Sequence, residues 1–94
     1  MLILNQRETA IINSAAYNCY AIVQEQHGFL IGAFVTGRND DPIRLGWYCE
    51  QEEAKEVLLE LYDALNRNED SFCFPQQYDT MKYRYESEAP GMIY

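Results

Sequence analysis

Basic residues are scarce in this chain. Seven Lys and Arg stand against fifteen Asp and Glu, a net charge of −8. Phosphates repel such a chain, so direct binding to bare DNA or RNA is not expected, nor adsorption to an anionic membrane. Histidine occurs once and cysteine three times, as Cys19, Cys49 and Cys73. An odd, widely spaced set with no Cys-x-x-Cys step and no paired histidine indicates neither a disulfide framework nor a zinc site. The expectation is three reduced thiols packed among apolar and aromatic neighbours in a cytoplasmic protein. No apolar run approaches the ~20 residues of a membrane span. The apolar start, Met1 to Leu4, is too short for a signal peptide and lacks a basic leader. No catalytic, cofactor or metal motif stands out.

What is present is a folding composition. Of the 94 residues, 48% are apolar and 14% aromatic, enough for one domain with a modest core. Residues 1 to 75 read as that domain, and 76 to 94 as an extension. Met1 to Asn5 reads as a strand, Gln6 to Glu8 as a polar turn and Thr9 to Asn13 as a second strand. Cys19 to Glu25 alternates as a third. Gln26-His27-Gly28 is a short connection in which Gly28 suits a positive φ. Phe29 to Thr36 is apolar on both faces and reads as a central strand, with Gly32 marking a bulge or a close approach by the helix. A polar loop from Gly37 to Pro42 leads to a fifth strand, Ile43 to Tyr48. Such short connections favour an antiparallel meander.

Gln51 to Arg67 carries the helical period. Ala54, Val57, Leu58, Leu61 and Leu65 recur at steps of three and four and form an apolar stripe. Glu53, Glu56, Glu60 and Asp63 are assigned to the opposite face, and Asp63 and Arg67 are spaced to pair. Glu50 precedes the helix and is a poor N-cap. No glycine marks the helix end. Phe72 to Pro75 reads as extended and buried. The fold class is therefore α+β: a small antiparallel meander of about five strands, one amphipathic helix on one face, and an extended tail. In that tail Met81, Tyr83 and Tyr85 alternate with Lys82, Arg84 and Glu86, and Met92-Ile93-Tyr94 is apolar.

The charge is lopsided. Residues 50 to 94 hold eleven acids and four bases, a balance of −7, whereas residues 1 to 49 balance at −1. Along the helix Glu53 to Glu60 spans ~10 Å at ~1.5 Å per residue. A rigid acidic stripe of this kind suits a basic partner and can imitate a nucleic-acid backbone. The same stripe also serves as an ordinary solvated face that keeps a small protein soluble. Eight tyrosines are many for this length. Tyr83, Tyr85 and Tyr94 are candidate interface anchors, while Tyr17, Tyr20, Tyr48 and Tyr62 read as structural, with hydroxyls at the rim. His27 reads as an exposed turn residue. Asn39-Asp40-Asp41 lacks the ligand spacing of a calcium loop and reads as a polar turn.

Several fragments resemble a family of small proteins of Gram-positive bacteria and their phages. These are Ile3-Leu4-Asn5-Gln6 followed by Ile11-Ile12-Asn13, then Leu45-Gly46-x-Tyr48 leading into Glu52-x-Ala54-Lys55-Glu56-Val57-Leu58, and the Phe72-x-Phe74-Pro75 close. The resemblance covers roughly residues 1 to 75. It implies a small α+β fold and a phage or mobile-element setting, and supplies no catalytic residues. Glu50 stands where that family has Thr, Phe74 where it has Met, and the Tyr-rich tail is an addition.

Two function classes follow. In the first, the protein is a non-enzymatic phage-type inhibitor, an anti-CRISPR-like nucleic-acid mimic. It occupies a basic surface of a host nucleic-acid-binding enzyme, with Glu53, Glu56, Glu60 and Asp63 facing the partner and Tyr83, Tyr85 and Tyr94 anchoring. In the second, it is an assembly module that forms a homo-oligomer through its C-terminal strand. No cofactor, metal or catalytic residue is assigned in either.

Overall fold

In a computed structural model the fold is α+β, and it is described for residues 1–37 and 41–76. Strands β1 (Leu2–Leu4), β2 (Ile11–Asn13), β3 (Cys19–Glu25), β4 (Gly28–Phe34) and β5 (Ile43–Tyr48) are followed by helix α1 (Gln51–Asn66) and strand β6 (Ser71–Cys73). A single 3-10 turn, Ser14–Ala16, joins β2 to β3, and the Asn13 side chain caps it by accepting from the Ala15 N–H.

The strands divide between two three-stranded sheets. The antiparallel meander is β3-β4-β5, with β4 in the centre. That matches an apolar pattern on both of its faces. The remaining strands form a second sheet in the order β2-β1-β6, where β1 pairs antiparallel with β2 and parallel with β6. The extended segment around Phe72 thus has a partner that local sequence does not announce, because the pairing closes across the whole domain.

The core lies between the sheets and α1. Ile3, Ile31, Leu45, Tyr48, Val57 and Leu61 are fully buried, each aliphatic one contributing about 1.5–3 kcal/mol by burial. Ala54, Val57, Leu61 and Ala64 form the inward stripe of α1, and Leu58 and Leu65 pack at its margin. Phe72 and Phe74 meet edge to face at 5.3 Å between ring centroids.

Gln6 ties the second sheet to the meander. Its backbone N–H donates to Leu45 O at 2.7 Å. Its side-chain Oε1 accepts from Trp47 N–H at 2.8 Å, and Nε2 donates to Trp47 O and to Pro75 O at 3.1 and 3.2 Å. The Tyr48 hydroxyl also donates to Pro75 O, at 2.8 Å. The residue read as part of a polar turn is therefore a structural clamp. Glu8, at φ 60°, makes the tight return toward β2.

Two glycines differ from expectation. Gly28 is not at positive φ; Gly37 is the glycine that adopts it among the described residues. Gly28 is instead the first residue of β4, covered by the Trp47 ring, so that a Cβ there would lie 2.2 Å from Trp47 Cζ2. At Gly32 the register shift against β5 is the bulge foreseen from sequence, but the close neighbour is Pro42, 2.9 Å from a built Cβ, rather than the helix.

The helix end also has a definite cap. Asn68 sits at φ 57°, the Asn68 N–H donates to Leu65 O and the Glu69 N–H to Ala64 O. This is the two-bond Schellman closure, with asparagine in the position glycine usually fills. Arg67 turns to Glu69, at 3.1 Å, whereas the sequence spacing suggested Asp63 as its ion-pair partner. At the other end Glu50 makes no side-chain cap bond, as expected, while Glu52 and Glu53 lie in the first turn, where the helix dipole favours acids.

Candidate partner-binding surface

The outward side of α1 follows from its inward stripe. With Ala54, Val57, Leu61 and Ala64 turned to the core, the 3.6-residue period presents residues 52, 55, 56, 59, 62 and 63 to solvent. Glu56 and Asp63 are exposed there, and Glu60 is exposed on the flank of the helix next to them. Glu53 differs: it is half-buried on the shoulder of the helix beside the core-facing stripe. The acidic stripe assigned from sequence is thus an exposed trio with Glu53 at its edge.

Two apolar residues share that outward side. Leu59 is 62% and Tyr62 63% exposed. They stand at i, i+3 and are surface neighbours. Around Leu59 at spacings of three and four lie Lys55, Glu56, Tyr62 and Asp63. Lys55 also approaches Glu52, at 3.9 Å. Tyr62, read from sequence as structural, is therefore a surface residue. The helical spacing held the signal, since Leu59 lies midway between Val57 and Leu61 and so on the far side from both. The surface that results is mixed: acids give long-range attraction for a basic partner, and the leucine and tyrosine give area that salt does not screen.

Tyr17, Tyr20 and Tyr48 behave as structural residues. Tyr48 is fully buried. The Tyr20 hydroxyl donates to Ser14 O at 3.0 Å, and burial, followed by the nearby Tyr17, holds its pKa above the ordinary 10.0. Tyr83, Tyr85 and Tyr94 lie outside the described residues, as does most of Asn39-Asp40-Asp41.

Elsewhere the surface offers less. Cys19 and Cys73 are exposed and Cys49 is half-buried, which corrects the expectation that each packs in the core. His27 is exposed in the turn between β3 and β4. An open cleft of about 320 Å³ lies at the helix C-terminus, bordered by Met1, Leu65, Asn68 and Asp70. Its lining contains no histidine or cysteine, and among the described residues no three His, Cys, Asp or Glu side chains are grouped to hold a metal. On the outer face of the meander, Arg44 donates to both carboxylate oxygens of Glu25, at 2.7 and 3.0 Å. Among the described residues no helix is long and apolar enough to cross a membrane. No family model, curated protein or solved structure matches the chain.

Proposed function

We propose that this protein acts by binding, as a phage-type inhibitor of the anti-CRISPR kind. Its α1 surface occupies a basic, nucleic-acid-binding surface of a host protein. The observation that carries the reading is the exposure of the adjacent pair Leu59 and Tyr62, with Glu56 and Asp63 next to Leu59 and Glu60 beyond them on the flank of the helix. Leu59 at the middle of the outward side and Tyr62 beside it form an adjacent apolar pair rather than a single scattered residue, and a face that only solvates the protein has no need of such a pair. A docking face needs both kinds of residue: acids steer the encounter with Lys and Arg, and apolar groups hold the complex once water is expelled. Leu59 and Tyr62 here take the anchoring part that the sequence assigned to Tyr83, Tyr85 and Tyr94. The phage setting rests on the resemblance of residues 1 to 75 to a Gram-positive and phage family, while the excess of acid supports a basic partner.

The test is a comparison of two variants. Glu56→Lys, Glu60→Lys and Asp63→Lys together reverse the charge, while Leu59→Ala with Tyr62→Ala removes the apolar pair. Glu53 is left alone because it is half-buried. Both variants should keep the wild-type circular dichroism and lose the partner captured from a Gram-positive host lysate. The charge variant should chiefly slow association, and the apolar variant should chiefly speed release. Undiminished capture by both would contradict the reading.

A further inference from the structure

The outer face of the β2-β1-β6 sheet exposes large apolar side chains. Alternation turns Ile3, Ile12 and Phe72 toward the core. The same alternation and register set two rows across the opposite side, Ile11–Leu4–Cys73 and Asn13–Leu2–Ser71. Leu2 is 54% and Ile11 66% exposed, and Cys73 is exposed beside the half-buried Leu4. Leu2, Leu4, Ile11 and Cys73 thus form an apolar patch across the three strands, bordered by Asn13 and Ser71, where a surface sheet normally alternates apolar inside and polar outside.

We propose that residues 81–86 of the same chain cover this patch. Three observations support that occupant. The chain reaches Gln76 at the correct end of the sheet: the Gln76 side-chain amide donates to the Gln6 carbonyl and to Glu8, next to the β1–β2 turn. The four residues 77–80 can span up to ~13 Å, enough to turn back over a three-residue strand. Residues 81–86 then place Met81, Tyr83 and Tyr85 on one side and Lys82, Arg84 and Glu86 on the other. A strand with that alternation has an apolar side to lay on Leu2, Leu4 and Ile11 and a charged side for water. Beyond Gln76 stand 18 residues, a length sufficient for the proposed cover to come from the same chain. The inference is independent of the role of α1, which lies on the other side of the core.

The test is made on the full-length protein by NMR, with the methyl groups of Leu and Ile labelled. Contacts from the ring protons of Tyr83 and Tyr85 to the methyls of Leu2, Leu4 and Ile11 are expected within one chain. They should persist on tenfold dilution and be absent from an isotope-filtered mixture of labelled and unlabelled protein. Tyr83→Ser with Tyr85→Ser should raise amide exchange in β1 and β2 by at least tenfold and leave that of α1 unchanged. Contacts seen only between chains would assign the patch to a second copy and overturn the proposal, as would no contact together with unchanged exchange in the variant.

Discussion

Gln6 and Trp47 are joined through both ends of one peptide-like amide: the Gln6 side chain accepts from the Trp47 N–H at 2.8 Å and donates to the Trp47 carbonyl at 3.1 Å. A side chain here does what a neighbouring strand would do for β5. It also donates to Pro75 O, so one residue links β5, the start of the chain and the segment after β6. Gln6→Ala removes all three bonds and leaves partly buried backbone groups without this partner. It should lower stability by about 1–3 kcal/mol. Gln6→Glu should cost as much or more, because a carboxylate oxygen then faces the two carbonyls that Nε2 serves. Urea unfolding followed by Trp47 fluorescence checks both, and a loss below about 0.5 kcal/mol for Gln6→Ala would place it among neutral surface changes.

Gly28 is held by contact rather than by φ. A methyl group there meets the Trp47 ring at 2.2 Å and the Tyr48 carbonyl at 2.7 Å. The ring can swing aside, but the backbone oxygen cannot move without disturbing the β4–β5 pairing. Gly28→Ala should therefore destabilise by about 1–3 kcal/mol and shift Trp47 emission to the red as the ring leaves its seat. Wild-type emission and stability together would show that the strand edge yields easily.

Asn68 closes α1 in the left-handed region at φ 57°. Asn68→Gly should hold or slightly raise stability, since glycine takes that conformation without steric cost. Asn68→Val should lower it by about 1–2 kcal/mol. Thermal melts of the two variants should therefore fall on opposite sides of, or one at and one below, the wild-type midpoint.

The Glu25 carboxyl is held below its ordinary 4.5 by the hydrogen bonds from Arg44, with a smaller contribution from the Arg44 charge, against a desolvation that pulls it upward. A carboxyl lowered in the folded state stabilises that state above its unfolded value. The contribution is lost as the pH falls through the lowered folded value. Glu25→Gln should thus differ from wild type at neutral pH, and the two should converge as the pH drops well below 4.5. A gap that persists unchanged into acid would mean that the pair acts through packing and not through charge.

Much of this molecule is legible in its sequence, and the rest is hidden for identifiable reasons. The helix is plain because Ala54, Val57, Leu58, Leu61 and Leu65 repeat with its period. The β3-β4-β5 meander is plain because its connections are short. The β1–β6 pairing is not, because Leu2 and Ser71 stand at opposite ends of the sequence of the described domain, and three-residue strands carry little alternation. Gln6 reads as a turn residue since nothing local distinguishes a clamp from a solvated amide. Of the acidic stripe assigned to the face opposite the core, Glu56 and Asp63 lie on the outward side, Glu60 is exposed on its flank, and Glu53 falls half-buried on the shoulder of the helix. The same period puts Leu59 and Tyr62 on the side of the helix away from Val57 and Leu61, so their exposure is legible from spacing too.

The claim that α1 is a docking face for a basic, nucleic-acid-binding partner is tested most directly by one capture experiment. Immobilised full-length protein is exposed to a Gram-positive host lysate at low and at high salt, then washed with added DNA or RNA, and the retained proteins are identified by mass spectrometry. The account predicts a single basic nucleic-acid-binding protein, bound at low salt, displaced by nucleic acid, and absent with Glu56→Lys, Glu60→Lys and Asp63→Lys in place. Retention of only the protein itself, or of partners indifferent to nucleic acid and to the charge reversal, would contradict it and leave the acidic face of α1 as a solvated surface.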